Sequence, residues 1–140
     1  SNFFEKGLVN EKKIKEHSKK ILSNFFVNTD NVELKSQFLS GGNLQKLIIG
    51  RELITSPELL VCFNPTWGLD VGAINYIHET LIQINEQGKS SILISTDNDE
   101  LLKLSDSICV IYKGKLSKIM NADTVTAEKL GILMGGGSID

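Results

Sequence analysis

The 140-residue chain predicts an α/β fold with a mainly helical N-terminal portion. Two short apolar runs, residues 59–63 and 91–95, flank a helix-period segment, the strand-helix-strand spacing that parallel pairing requires. Before residue 59 the apolar residues recur at helical spacing only. Lys113-Gly114-Lys115 interrupts two further apolar runs, 108–112 and 116–120, and predicts a closing β-hairpin.

Each element has its own signal. Residues 10–26 put Ile14, Ile21, Leu22, Phe25 and Phe26 on one helical face, with Lys12, Lys13, Lys15, Lys19 and Lys20 elsewhere. Glu11 and Glu16 dilute those lysines, which therefore read as a solvated face rather than a nucleic-acid patch. After a polar stretch, Ser40-Gly41-Gly42-Asn43 opens a helix of about three turns that Ser56-Pro57 stops. Residues 59–63 read as a buried strand running into a Pro65-marked turn. The helix over 71–87 turns Ile74, Ile77, Leu81 and Ile84 inward and ends at Gly88 as a C-cap. A strand over 91–95, a short helix over 99–104, the hairpin and a helix over 126–133 complete the chain. Gly135, Gly136 and Gly137 read as a flexible tail.

Composition excludes several classes. With 41% apolar and 23% charged residues and only two prolines, the chain carries a core rather than a disordered tail. A net charge of −2 gives no global attraction to nucleic acid or to an anionic membrane. Cys62 and Cys109 fall in predicted strands without a CxxC partner and read as two buried thiols. No apolar run reaches membrane-spanning length, and residues 1–4 do not begin a signal peptide.

Candidate chemistry is sparse. Gly88-Lys89-Ser90 imitates the end of a P-loop, but position 83 is Gln rather than Gly and the segment runs from helix to strand, the wrong order for presenting amides to phosphate. Ser40-Gly41-Gly42-Asn43 does lead into a helix. A phosphate cradle and a plain serine N-cap explain it equally well. His17 and His78 read as packing or surface residues, and Glu79, Asp97, Asp99, Glu100 and Asp106 as surface or capping carboxylates. The strand tip, where open α/β folds place catalytic carboxylates, carries Phe63 and Asn64.

Leu39-Ser40-Gly41-Gly42-Asn43-Leu44-Gln45-Lys46, followed by Pro65-Thr66-Trp67-Gly68-Leu69-Asp70-Val71-Gly72-Ala73, resembles the ATPases of ABC transporters. The first block is similar to the family signature in its LSGGNQQK form, the second to the end of the Walker B region and the D-loop. Asn43, the Gly-Leu-Asp-Val-Gly-Ala run and Gly131-Ile132-Leu133-Met134 look most like importers of simple sugars or nucleosides. The resemblance implies a partial P-loop ATPase domain: a helical signature subdomain over 1–56, then the C-terminal part of the core over 57–140. It covers the later portion of a second ATPase domain, and no Walker A segment is among these residues.

What the resemblance implies is an asymmetric pair of sites. Family strands end in Asp-Glu-Pro-Thr, whereas this chain has Phe63 and Asn64 there, and Thr96 stands where the switch histidine belongs. Those three positions imply a degenerate own site. Ser40, Gly41, Gly42, Asn43 and Asp70 would instead serve ATP and Mg held by the first ATPase domain of the same polypeptide. Other implied partners are membrane permease subunits and, indirectly, a periplasmic or lipoprotein substrate-binding protein, which sets the location as peripheral on the cytoplasmic side of the membrane. No metal ligand set and no nucleic-acid partner is expected in this chain. Because the P-loop strand would lie between the strands over 91–95 and 108–112, its absence predicts a rearranged sheet, a gap closed by the hairpin, or self-association through an open edge. Two other readings compete: a piece of a soluble ABC-type ATPase of DNA repair or translation, and a non-catalytic interaction module.

Overall fold

The computed structural model describes residues 3–5, 7–29 and 31–138. The chain divides into two compact units, one formed by the residues up to Leu60 with Thr66–Ile77, the other by Val61–Pro65 with the residues from His78 on.

The first unit is built on two helices. α1 spans Glu11–Asn24 and is capped by Asn10, whose side chain accepts the Lys13 N–H. α2 spans Gly41–Leu53, packs on α1 and buries Ile49 and Gly50. Gly50 is there because a Cβ would meet the Phe25 ring at 2.6 Å. A short antiparallel ribbon, β1 (Phe4–Glu5) with β2 (Leu8–Val9), precedes α1 and was not expected from the sequence. Its signal is Gly7, with φ +82, at the turn.

Phe26 departs from the expected apolar face: it is exposed, while Ile21 is buried. The reason is the end of α1. Val27 N–H donates to Leu22 O and Phe26 N–H to Ser23 O, a Schellman closure that puts Phe26 in the left-handed region at φ 50. A bulky residue there costs about 1–2 kcal/mol. Phe26 packs edge-on to Tyr76, 6.4 Å between centroids, and Lys46 lies over the same Tyr76 ring.

β3 (Leu59–Phe63) has the expected bounds but not the expected burial. Leu60 and Cys62 are buried, whereas Leu59, Val61 and Phe63 are exposed on the opposite face. β3 pairs with β4 (Ser90–Ile94) through the intervening helix α3 (Val71–Glu86). Ala73, Ile77, Leu81 and Ile84 of α3 are buried, and Gly88, at φ +79, closes the helix as expected, with its own N–H on Asn85 O and Lys89 N–H on Ile84 O.

The second unit has a core of Leu101, Ile108, Val110, Ala122, Val125 and Leu130. α4 spans Asn98–Leu104 and is capped by Asp97, which accepts the Asp99 and Glu100 amides. The two strands expected at 108–112 and 116–120 are each broken in two. β5 (Ser107–Ile108) pairs with β8 (Met120–Asn121), and β6 (Ile111–Tyr112) with β7 (Lys115–Leu116), both antiparallel. Between them Val110 N–H donates to the Ser117 hydroxyl at 2.9 Å, so a side chain takes one rung of the ladder. The hairpin exists, but it does not close the sheet. β4 is hydrogen-bonded only to β3 and β5 only to β8 among the described residues, and a cavity of about 330 Å³ lined by Leu81, Leu93, Leu101 and Ile108 separates them.

Three further expectations are corrected. Cys109 is exposed, lying in the break between β5 and β6. Glu100 is buried, paired with buried His78 at 3.0 Å between Oε1 and Nε2, so neither belongs to the surface. The glycines after α5 (Ala127–Met134) are not a free tail: Gly136 N–H bonds Leu133 O, Gly137 N–H bonds Ile132 O, and Gly136 lies against Tyr112.

Because His78 and Glu100 join α3 to α4 out of contact with water, His78→Ala should lower stability by about 3 kcal/mol. Urea denaturation midpoints check this; a change under about 0.5 kcal/mol would contradict it. Gly50→Ala should cost about 1–3 kcal/mol by overpacking against Phe25.

Candidate functional site

Ser40, Gly41, Gly42 and Asn43 are organised by the start of α2. Ser40, extended at φ −61 and ψ 156, is the N-cap, and its carbonyl accepts the first intrahelical bond from Leu44 N–H at 2.8 Å. Its hydroxyl oxygen accepts from Asn43 twice, from the backbone N–H at 3.4 Å and from Nδ2 at 3.1 Å. Asn43 Oδ1 in turn accepts the Asn28 N–H at 2.9 Å. A helix of 13 residues leaves the amides of its first turn without intrahelical acceptors and adds a dipole whose positive end lies there. Such an end favours an anion.

Asp70 belongs to the same unit and is brought against this helix. Its Oδ1 accepts the Ala73 N–H at 2.9 Å, which caps α3. A Cβ on Gly42 would lie 3.0 Å from Ala73 Cβ and 3.8 Å from Asp70 Oδ2, and one on Gly41 3.4 Å from Leu69 Cδ2. Gly42 is therefore set by close packing against the first turn of α3, a reason for glycine that sequence alone did not supply. The N-cap reading of Ser40 is borne out, and an exposed helix start suited to an anion stands beside it.

Phe63, Asn64 and Thr96 lie in the other unit. Asn64 has φ 43, a left-handed conformation that Asn tolerates better than most residues, and its N–H donates to Ile94 O at 2.8 Å. This bond brings the end of β3 beside the end of β4, two residues before Thr96. Phe63 and Thr96 are exposed. A phenyl ring offers no metal ligand and a neutral amide no proton acceptor of useful basicity, so Phe63 and Asn64 supply neither a carboxylate nor a base at the strand tip. Among the described residues no group of three or more His, Cys, Asp or Glu is placed to hold a metal. Trp67 is exposed, and nothing in the structure explains its presence.

Sequence reasoning missed the pair formed by His78 and Glu100. Lys103 Nζ lies 3.5 Å from His78 Nδ1, so the imidazole accepts there and donates from Nε2 to Glu100. The position of His78, four residues after Ile74 and three before Leu81 on the apolar face of that helix, was the available signal. Beside this pair, burial and then the charge of Glu100 push the Cys62 thiol up to about 11.

The fold so described is that of part of an ATP-binding cassette. The dimeric cassette MJ0796, bound to ADP and Pi in a post-hydrolysis state, superimposes with a TM-score of 0.67 at 20% identity, over 84% of this chain and 51% of that one. No protein-family model matches the chain. Among curated proteins, the nucleoside import ATP-binding protein NupA of Lactococcus lactis is 44% identical over 134 residues, 96% of this chain and 26% of the relative. The guanosine import ATP-binding protein NupO of Bacillus subtilis is 38% identical over 130 residues, 93% of this chain and 26% of the relative. The chain belongs to the sugar and nucleoside import ATP-binding proteins of the ABC class, and it spans about a quarter of the length of the curated relatives it matches.

The two cysteines should separate under alkylation. At pH 8 iodoacetamide should label Cys109 in the native chain, with Cys62 modified only after unfolding, as peptide mass spectrometry would show. Equal labelling rates would contradict the buried, high-pKa thiol.

Proposed function

We propose that this chain is part of the ATP-binding subunit of an importer of nucleosides or simple sugars, and that it supplies the signature half of a composite ATP site. The observation that carries the proposal is the unequal condition of its two halves. The start of α2 is complete, with Ser40 capping a 13-residue helix and Gly42 seated on Ala73 beside Asp70. The strand tip has lost its carboxylates at Phe63 and Asn64, and Thr96 stands at the switch. The names of NupA and NupO support the solute class, and the dimeric state of MJ0796 supports a site shared between two domains.

In this proposal residues 1–56 form the signature-bearing part and 57–140 the C-terminal part of a second ATPase domain. ATP with its Mg is held on the P-loop of the first ATPase domain. Ser40 donates its O–H, and Gly41 and Gly42 their amides, to the terminal phosphate, while the dipole of α2 stabilises the added charge. Glycine at 41 and 42 lets the phosphate reach the backbone. Asp70, by holding the first turn of α3 against Gly42, couples closure at this site to the rest of the domain. Closure then acts on membrane permease subunits from the cytoplasmic face, with a substrate-binding protein as the indirect partner. No helix among the described residues is long and apolar enough to cross a membrane, which fits a peripheral position.

The chain alone should show no ATP turnover above background and no micromolar ATP affinity by calorimetry; either would overturn the proposal. In the complete transporter, Ser40→Arg should reduce solute-stimulated ATPase at least ~10²-fold, since it removes a phosphate donor and blocks the helix start. Asn64→Gln should stay within about twofold of wild type, because both side chains are neutral amides and the change removes no positioned base. Loss of most activity in Asn64→Gln would show that this strand tip still works.

A further inference from the structure

We propose that Asn43 is a positioning residue that fixes the Ser40 hydroxyl as a hydrogen-bond donor toward the bound anion. The inference rests on the reading of Ser40 as a phosphate ligand and adds what makes that hydroxyl competent. A serine hydroxyl has one O–H to give and two lone pairs to fill, and an unrestrained one rotates to suit any neighbour. Here Asn43 approaches the oxygen from two directions, with its backbone N–H at 3.4 Å and its side-chain Nδ2 at 3.1 Å. Both lone pairs are engaged. What Ser40 has left is its proton, which points away from both donors.

The orientation of the Asn43 amide decides this, and a neighbour fixes it. Asn43 Oδ1 receives the Asn28 N–H at 2.9 Å. A flipped amide would set two N–H groups against each other at Asn28 and present its oxygen to Ser40. The Ser40 proton would then turn inward. Asn28 is itself held in place, because it follows buried Val27, whose N–H closes α1 on Leu22 O. A short relay therefore runs from the end of α1 through Asn28 N–H and the Asn43 amide to the Ser40 oxygen, all within one unit.

The polarity matters because the oxygens of a terminal phosphate accept hydrogen bonds at neutral pH. A hydroxyl whose proton is committed elsewhere would meet them with a lone pair and repel them. Oδ1 and one of the two Nδ2 hydrogens of Asn43 are occupied inside the protein, which places this residue to act through Ser40.

The test is a double-mutant cycle in the complete transporter, reading kcat and KM for ATP with Ser40→Ala, Asn43→Ala, Asn43→Asp and the two double variants. Ser40→Ala should cost about 10²-fold in kcat/KM. Asn43→Asp keeps the acceptor for Asn28 N–H but draws the Ser40 proton inward, and should cost nearly as much. Asn43→Ala should cost about 10-fold. On the Ser40→Ala background neither Asn43 change should lower kcat/KM further. Equal losses on both backgrounds would show that Asn43 meets the nucleotide or repels it directly, and would overturn the inference. So would an Asn43→Ala enzyme of wild-type activity beside a crippled Ser40→Ala. If Ser40→Ala itself is fully active, the reading of Ser40 as a phosphate ligand falls, and the role of Asn43 falls with it. Thermal unfolding of each variant identifies any loss that is only one of folding.

Discussion

The missing side chain of Gly42 is the constraint on which the seating of α2 depends. A single added carbon would stand 3.0 Å from Ala73 Cβ, tighter than nearly all such contacts, so the start of α2 lies directly against the first turn of α3. That turn is in turn shaped by Asp70, whose carboxylate accepts the Ala73 amide. The capped serine, the small residues and the aspartate are thus one packed object rather than two motifs separated in sequence. Its geometry follows from steric contact and two caps.

Much of this was legible because it rests on local rules. Asp97, expected among the capping carboxylates, caps α4, and Gly88, expected as a C-cap, ends α3 at positive φ. What was not legible depends on tertiary contact. Phe26 looked like a core residue because five apolar positions share a helical phase, yet the helix stops before it and the left-handed turn swings it outward. The runs at 108–112 and 116–120 looked like two strands, but the Ser117 hydroxyl takes a rung that a backbone carbonyl would fill. Burial of β3 on both faces was expected from an apolar run alone, and periodicity cannot say whether a second layer covers it.

The same division holds for the site. Residues Ser40, Gly41, Gly42 and Asp70 could be gathered by resemblance, and the structure adds why two of them touch. The bonds of Asn43 to Ser40 and Asn28 could not be read from spacing, since Asn28 is 15 residues away in a stretch with no periodic signal. His78 and Glu100, 22 residues apart, formed no visible pair for the same reason. Polar side chains on separate elements announce their partners only once the elements are packed.

Trp67 is the chain's sole tryptophan, and the residue is 86% exposed on the segment between the strand tip and α3. Every indole photon the chain emits therefore comes from one water-facing position three residues from Asp70. The protein carries a built-in optical label on the loop that α2 packs beside, and its emission colour is a direct gauge of whether another surface has covered that loop.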